Sequence, residues 1–89
     1  MPYYVYILES GKDGSYYIGQ TDSLESRLNR HNRGYNKSTK KKRPWAIKWH
    51  YECKTRAEAM RIERQLKNLK SREKIEAYVR RLGFAGTEP

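Results

Sequence analysis

A single cysteine stands among the 89 residues, so no disulfide closes within the chain and no zinc site of paired cysteines can form. Cys53 ends an alternating run and reads as a small buried hydrophobe rather than a reactive thiol. No apolar run approaches the roughly 20 residues that cross a bilayer, and no basic segment followed by a long apolar stretch opens the chain; a cytoplasmic protein is expected. Acidic residues are few, ten against twenty lysines and arginines, for a formal charge of +10. A field of that sign on so small a body attracts polyanions, with nucleic acid the leading partner. The His-Glu-x-x-His, Gly-x4-Gly-Lys and serine-elbow patterns are all missing, which removes zincin, phosphate-loop and serine-hydrolase chemistry. The length allows one modest core and one domain, expected over residues 1–83 with a frayed tail at 84–89.

What is present reads in the order strand, strand, helix, strand, helix, helix, an α/β domain of the α+β kind. Residues 3–8 are an unbroken aromatic and aliphatic run, expected as a central strand covered on both faces. Gly11, Asp13, Gly14 and Ser15 supply turn chemistry, and Tyr17-Ile18-Gly19 follows as the second strand of a hairpin. Period-two alternation then allows Tyr6 and Tyr17 to share a face. Asp22 is the expected cap of the next helix, with Glu25 three residues on and Gly34 as its stop. Leu24, Leu28 and His31 fall at i, i+4 and i+7 of that helix, while Arg27 and His31, four apart, project from one side.

Residues 33–44 have no periodicity and are dense in lysine and arginine, which reads as a mobile loop able to track phosphates: Arg33, Lys37, Lys40, Lys41, Lys42 and Arg43, with Tyr35 free to stack on a base or sugar. Lys67 is a further candidate contact. Residues 47–53 alternate as a third strand that places Ile47, Trp49, Tyr51 and Cys53 on one face and sends His50 to solvent. Thr55-Arg56-Ala57-Glu58 is a capping box opening a helix whose stripe is Ala59, Ile62, Leu66 and Leu69. Glu63 borders that stripe and needs either a neighbouring arginine or a cation. Ser71 caps the last helix, in which Ile75, Tyr78, Val79 and Leu82 form the apolar face before Gly83.

Tyr6, Tyr17, Arg27, His31 and Glu63 together suit phosphodiester hydrolysis. Arg27 and Tyr17 can stabilise charge on non-bridging oxygens. Glu63 can hold magnesium, which needs few protein carboxylates, and either Tyr6 or His31 can orient or deprotonate water.

Tyr4-Val5-Tyr6 resembles the Gly-Ile-Tyr half, and Tyr17-Ile18-Gly19 the Tyr-Ile-Gly half, of the GIY-YIG nucleases, specifically their short single-domain bacterial branch. The likeness covers almost the whole chain. Arg27 and His31 correspond to the family's helix, and Glu63, within Ala57-Glu58-Ala59-Met60-Arg61-Ile62-Glu63, to its metal-binding glutamate. Tyr4 replaces the motif's glycine, and no asparagine stands near Ile75, where many larger members have one. The resemblance implies a three-stranded antiparallel sheet flanked by three helices and Mg²⁺- or Mn²⁺-dependent cleavage of DNA, with Tyr6 as base or water-orienting group. Larger relatives carry a second, site-choosing domain, so specificity here is expected to be low or supplied by a homodimer or protein partner. A branched, damaged or single-stranded DNA substrate in repair or recombination is the first expectation. The alternative is a non-catalytic nucleic-acid-binding module.

Overall fold

A computed structural model describes residues 2–82; the expected stop at Gly83 and tail at 84–89 lie outside the described residues. The elements are β1 (Tyr3–Ser10), β2 (Tyr16–Thr21), α1 (Leu24–Asn32), α2 (Lys37–Lys40), β3 (Trp45–Cys53), α3 (Arg56–Leu69) and α4 (Arg72–Leu82). The three strands form one antiparallel sheet in the order β2-β1-β3. The expected three long helices are present, and a single-turn helix is added to them.

β1 is central because Val5, Tyr6, Ile7 and Leu8 are buried in succession, which only a strand covered on both faces can achieve. The hairpin turn behaves as its residues dictate. Gly14 takes φ +76°, and the Asp13 carboxylate accepts from the Ser15 amide at 3.0 Å and the Ser15 hydroxyl at 2.7 Å, closing the turn locally.

One face of the sheet is covered by α3 and α4. Val5, Ile7, Ile18, Trp49 and Cys53 meet Ala59, Ile62, Leu66, Ile75 and Val79 there, and each fully buried aliphatic side chain stabilises by about 1.5–3 kcal/mol. Thr55 caps α3 by accepting from the Glu58 amide at 3.1 Å. Ser71 likewise accepts from the Lys74 amide at 3.4 Å. Arg72 ties α4 to the hairpin, donating to the Gly14 carbonyl at 2.6 Å and to Glu9 at 3.0 Å while lying 4.2 Å over the Tyr16 ring.

On the opposite face Tyr6, Leu8 and Trp45 gather Tyr17, Leu24, Leu28 and Ile47 beneath α1. Here the pattern read from residues 47–53 is corrected. The β1–β3 register shifts between Ile7 and Leu8, so that Ile7 faces Trp49 but Leu8 faces Ile47. Lys48 is thus an extra residue in β3, a bulge that reverses the alternation and turns Ile47 and Trp45 to the α1 face. His50 is corrected as well. It lies opposite Tyr6 in register, is half-buried, and stands edge-on to Tyr4 at 6.2 Å rather than pointing to solvent.

The α1 cap is Ser23, one residue beyond the expected Asp22. Its side chain accepts from the Ser26 amide, while Thr21 bonds the Ser23 amide at 3.1 Å and fixes the entry to the helix. The basic loop is also more ordered than its composition suggests. Asn36 caps α2, and this single turn exists to bury Thr39, which is 1 % exposed.

Candidate active site

Tyr6 and Gly19 are direct cross-strand partners in β1 and β2. A Cβ at position 19 would stand 2.6 Å from the Tyr6 hydroxyl and 2.8 Å from the ring carbon bearing it. Only glycine leaves room for the phenol to lie across that backbone. Tyr17, two residues earlier on the same face, brings its ring 6.5 Å from that of Tyr6.

His31 forms the floor of the site. It is 1 % exposed, with its ring 4.7 Å edge-on to Tyr17 and 6.5 Å from Trp45. Nδ1 lies 2.8 Å from the Thr39 hydroxyl, and Nε2 lies 3.5 Å from the Tyr6 hydroxyl. The Thr39 hydroxyl also stands 3.4 Å from the Asn36 carbonyl; with its proton directed there, its oxygen accepts from Nδ1, the tautomer that leaves Nε2 unprotonated. Nε2 is then an acceptor aimed at the Tyr6 hydroxyl. Burial holds the His31 pKa below its ordinary value, and the positive charges of Arg27 and Arg30 lower it further. The imidazole is therefore neutral at pH 7.

The frame around Thr39 is closed by Trp45, whose indole donates to the Thr39 carbonyl at 2.9 Å. Asn32 clasps the Trp45 backbone in both directions, donating to its carbonyl at 3.0 Å and accepting from its amide at 2.6 Å. Thr39, Trp45 and Asn32 frame His31 and were missed by residue-type reasoning. The Asn36-Lys37-Ser38-Thr39 cap signature was the one sequence signal for them.

Burial raises the Tyr6 phenol above its ordinary range; the neighbouring Tyr17 and the Glu63 carboxylate push the same way, and Arg27 opposes them. Arg27, Glu63 and Tyr17 therefore all share an electrostatic neighbourhood with Tyr6. Tyr6, Tyr17 and His31 are brought into contact from β1, β2 and α1, while Arg27 and Glu63 act on Tyr6 through their charge. Glu63 takes Lys67 as its partner, at 3.0 Å, instead of the arginine expected as the ordinary alternative. The carboxylate is only 19 % exposed against 54 % for the lysine, a pair worth about 0.3–0.5 kcal/mol and easily exchanged. Among the described residues no group of three or more His, Cys, Asp or Glu side chains could cage a metal. A lone carboxylate does fit a hard cation that retains waters and takes its remaining ligands from substrate phosphate.

The basic residues divide. Arg27, Arg30, Tyr35 and Lys37 line a cleft of about 210 Å³ with His31 at its base, and Arg33 lines a second beside it. Lys42 instead reaches the hairpin turn, 3.6 Å from Asp13. Arg43 donates to the Lys40 carbonyl at 2.8 Å, bracing the loop from which Lys40 and Lys41 project, both exposed.

A sequence model described as the GIY-YIG catalytic domain matches residues 2–76. The UPF0213 protein BH0048 of Halalkalibacterium halodurans is 39% identical over 75 residues, covering 83% of this chain and 79% of that one. The UPF0213 protein BLi00048/BL00536 of Bacillus licheniformis is 44% identical over 80 residues, covering 86% of this chain and 78% of its own. The solution NMR structure of the UPF0213 protein BH0048, there assigned to Bacillus halodurans, is similar with a TM-score of 0.58 at 37% identity, covering 97% of this chain and 89% of that one.

Proposed function

Since this chain belongs to the GIY-YIG nuclease family, we propose that it is a divalent-metal-dependent endonuclease that hydrolyses DNA phosphodiester bonds in repair or recombination. The observation that carries this reading is the line from the Tyr6 hydroxyl through neutral His31 to Thr39, with the charge of Arg27 acting on both Tyr6 and His31.

The residues act as follows. Water attacks phosphorus and passes a proton to the Tyr6 oxygen while Tyr6 gives its own to Nε2 of His31, so a phenol raised by burial never has to ionise alone. Thr39 holds the imidazole in the accepting tautomer. Arg27 and the Tyr17 hydroxyl stabilise charge as it builds on the non-bridging oxygens, and the bond to the leaving oxygen breaks. Glu63 would hold Mg²⁺ or Mn²⁺ once Lys67 swings away, and the ion supplies Lewis-acid stabilisation of the phosphate and leaving oxygen.

The test is incubation of the protein with labelled single-stranded, duplex and branched DNA, with and without Mg²⁺ or Mn²⁺, beside Glu63→Ala and Tyr6→Phe. Metal-dependent cutting that Glu63→Ala abolishes and Tyr6→Phe slows at least about 100-fold is expected. Equal cutting by both variants overturns the site. DNA binding without cutting by any of the three supports the second reading, a non-catalytic binding module, which the +10 charge and the basic clefts favour.

A further inference from the structure

Tyr35 is the most exposed large hydrophobic side chain among the described residues, at 65 %. An exposed tyrosine taken singly is ordinary, but this one is the wall between two clefts. On one side lie Arg27, His31 and Lys37. On the other, a cleft of about 370 Å³ presents Ser26, Asn29 and Arg33, with Glu25 as its one carboxylate. Arg30 lines both clefts, and its guanidinium stands 5.9 Å above the Tyr35 ring.

The backbone that carries the ring is fixed. Gly34 adopts φ +82°, and a Cβ there would lie 2.9 Å from the Arg43 guanidinium. The Tyr35 amide then donates back to the Arg30 carbonyl at 3.2 Å, and Asn36 begins α2 immediately after. Tyr35 is thus set between two helices in a fixed turn, with little backbone ordering left to do on binding.

We propose that Tyr35 and Arg30 form a nucleobase-stacking subsite beside the scissile phosphate, so that the nucleotide adjacent to the cut is held unpaired. The assignment rests on the nuclease reading above for the position of the cut. A phosphate at Arg27 in the first cleft and the next phosphate at Arg33 and Ser26 in the second leave the intervening base over Tyr35. Two aromatic contacts at about 3.5 Å each require about 7 Å between ring and guanidinium, so Arg30 need move only about 1 Å to sandwich a base. A base inside a duplex has both faces covered by its neighbours and cannot be accepted without leaving the stack.

The test uses the whole protein in EDTA, so that binding is read without cutting. The probe is single-stranded oligonucleotides carrying 2-aminopurine at successive positions, compared with the same sequences in duplex. The parent is expected to quench fluorescence in the single strand more than in the duplex. Tyr35→Ala should lose that quenching and weaken single-strand binding 5- to 100-fold or so, in the range of one stacked base, with a smaller loss on duplex. Tyr35→Phe should restore both. Unchanged single-strand affinity and quenching in Tyr35→Ala, or an equal loss on single strand and duplex, overturns the subsite. Failure of Tyr35→Phe to rescue overturns it too, since stacking needs the ring and not the hydroxyl. DNA binding without quenching defeats the subsite alone, whereas absence of any DNA binding defeats the nuclease reading with it.

Discussion

Burial beneath two arginines fixes the charge of His31, and the fold's response to acid follows. The folded-state pKa lies below the ordinary 6.5, first through desolvation and then through Arg27 and Arg30. The unfolded chain therefore binds the extra proton first, and stability rises with pH across this window. The contribution is complete above about 6.5 and declines as pH falls through that value toward the folded pKa. Melting temperature should drop between pH 7.5 and 5.5, and His31→Gln, which keeps a polar group near Thr39, should flatten the slope. An unchanged slope in the variant would place the titration elsewhere. Asp13 does not confuse this window: hydrogen bonds from the Ser15 amide and hydroxyl hold its carboxylate at about 2, so its contribution is lost only in stronger acid.

At the scale of the element, the junction between α3 and α4 is the least comfortable piece of backbone among the described residues. Lys70 ends α3 in the left-handed conformation, at φ 56° and ψ 18°, where a Cβ costs about 1–2 kcal/mol and glycine is preferred. Lys70→Gly should raise the unfolding free energy by about 0.5–1 kcal/mol, the larger entropy of an unfolded glycine trimming the gain. The measurement is the urea midpoint at constant m, and a lower midpoint would refute the strain. The other noteworthy element is β3, whose Lys48 bulge lets one strand contribute Trp49 to the supporting core and Trp45 to the site.

Over the whole molecule, the sheet separates two packed faces, with the candidate carboxylate Glu63 carried by α3. The face under α3 and α4 supplies most of the aliphatic core, and the face under α1 and α2 holds the aromatic cluster, His31 and the basic clefts. With a charge of +10 spread over a body of 31 × 30 × 25 Å, DNA affinity should fall steeply with salt, each neutralised phosphate adding about 0.7–0.9 to the slope of log K against log salt. Arg33→Ala should reduce that slope by about one such step, measured by fluorescence anisotropy between 50 and 200 mM salt as a rough working range. A slope near zero for the parent would mean that the charge is not used on nucleic acid. No helix among the described residues is long and apolar enough to cross a membrane.

The sequence by itself determined the strands and the long helices, and it nominated the candidate site residues. Alternation, capping residues and apolar stripes are local signals, and Tyr6, Tyr17, Arg27, His31 and Glu63 could be picked out by residue type and spacing. Tertiary structure alone decided the rest. The cap moved from Asp22 to Ser23 because Thr21 fixes the chain's entry, a detail below the resolution of propensity. The Lys48 bulge reversed the face of Ile47 because register depends on the partner strand, β1, and not on β3's own pattern. His31 found its orienting partner in Thr39, inside a stretch whose charge density reads as loop, because one buried hydroxyl on a single helical turn leaves no periodic trace. The need for glycine at position 19 became visible only when β1 laid the Tyr6 hydroxyl across it.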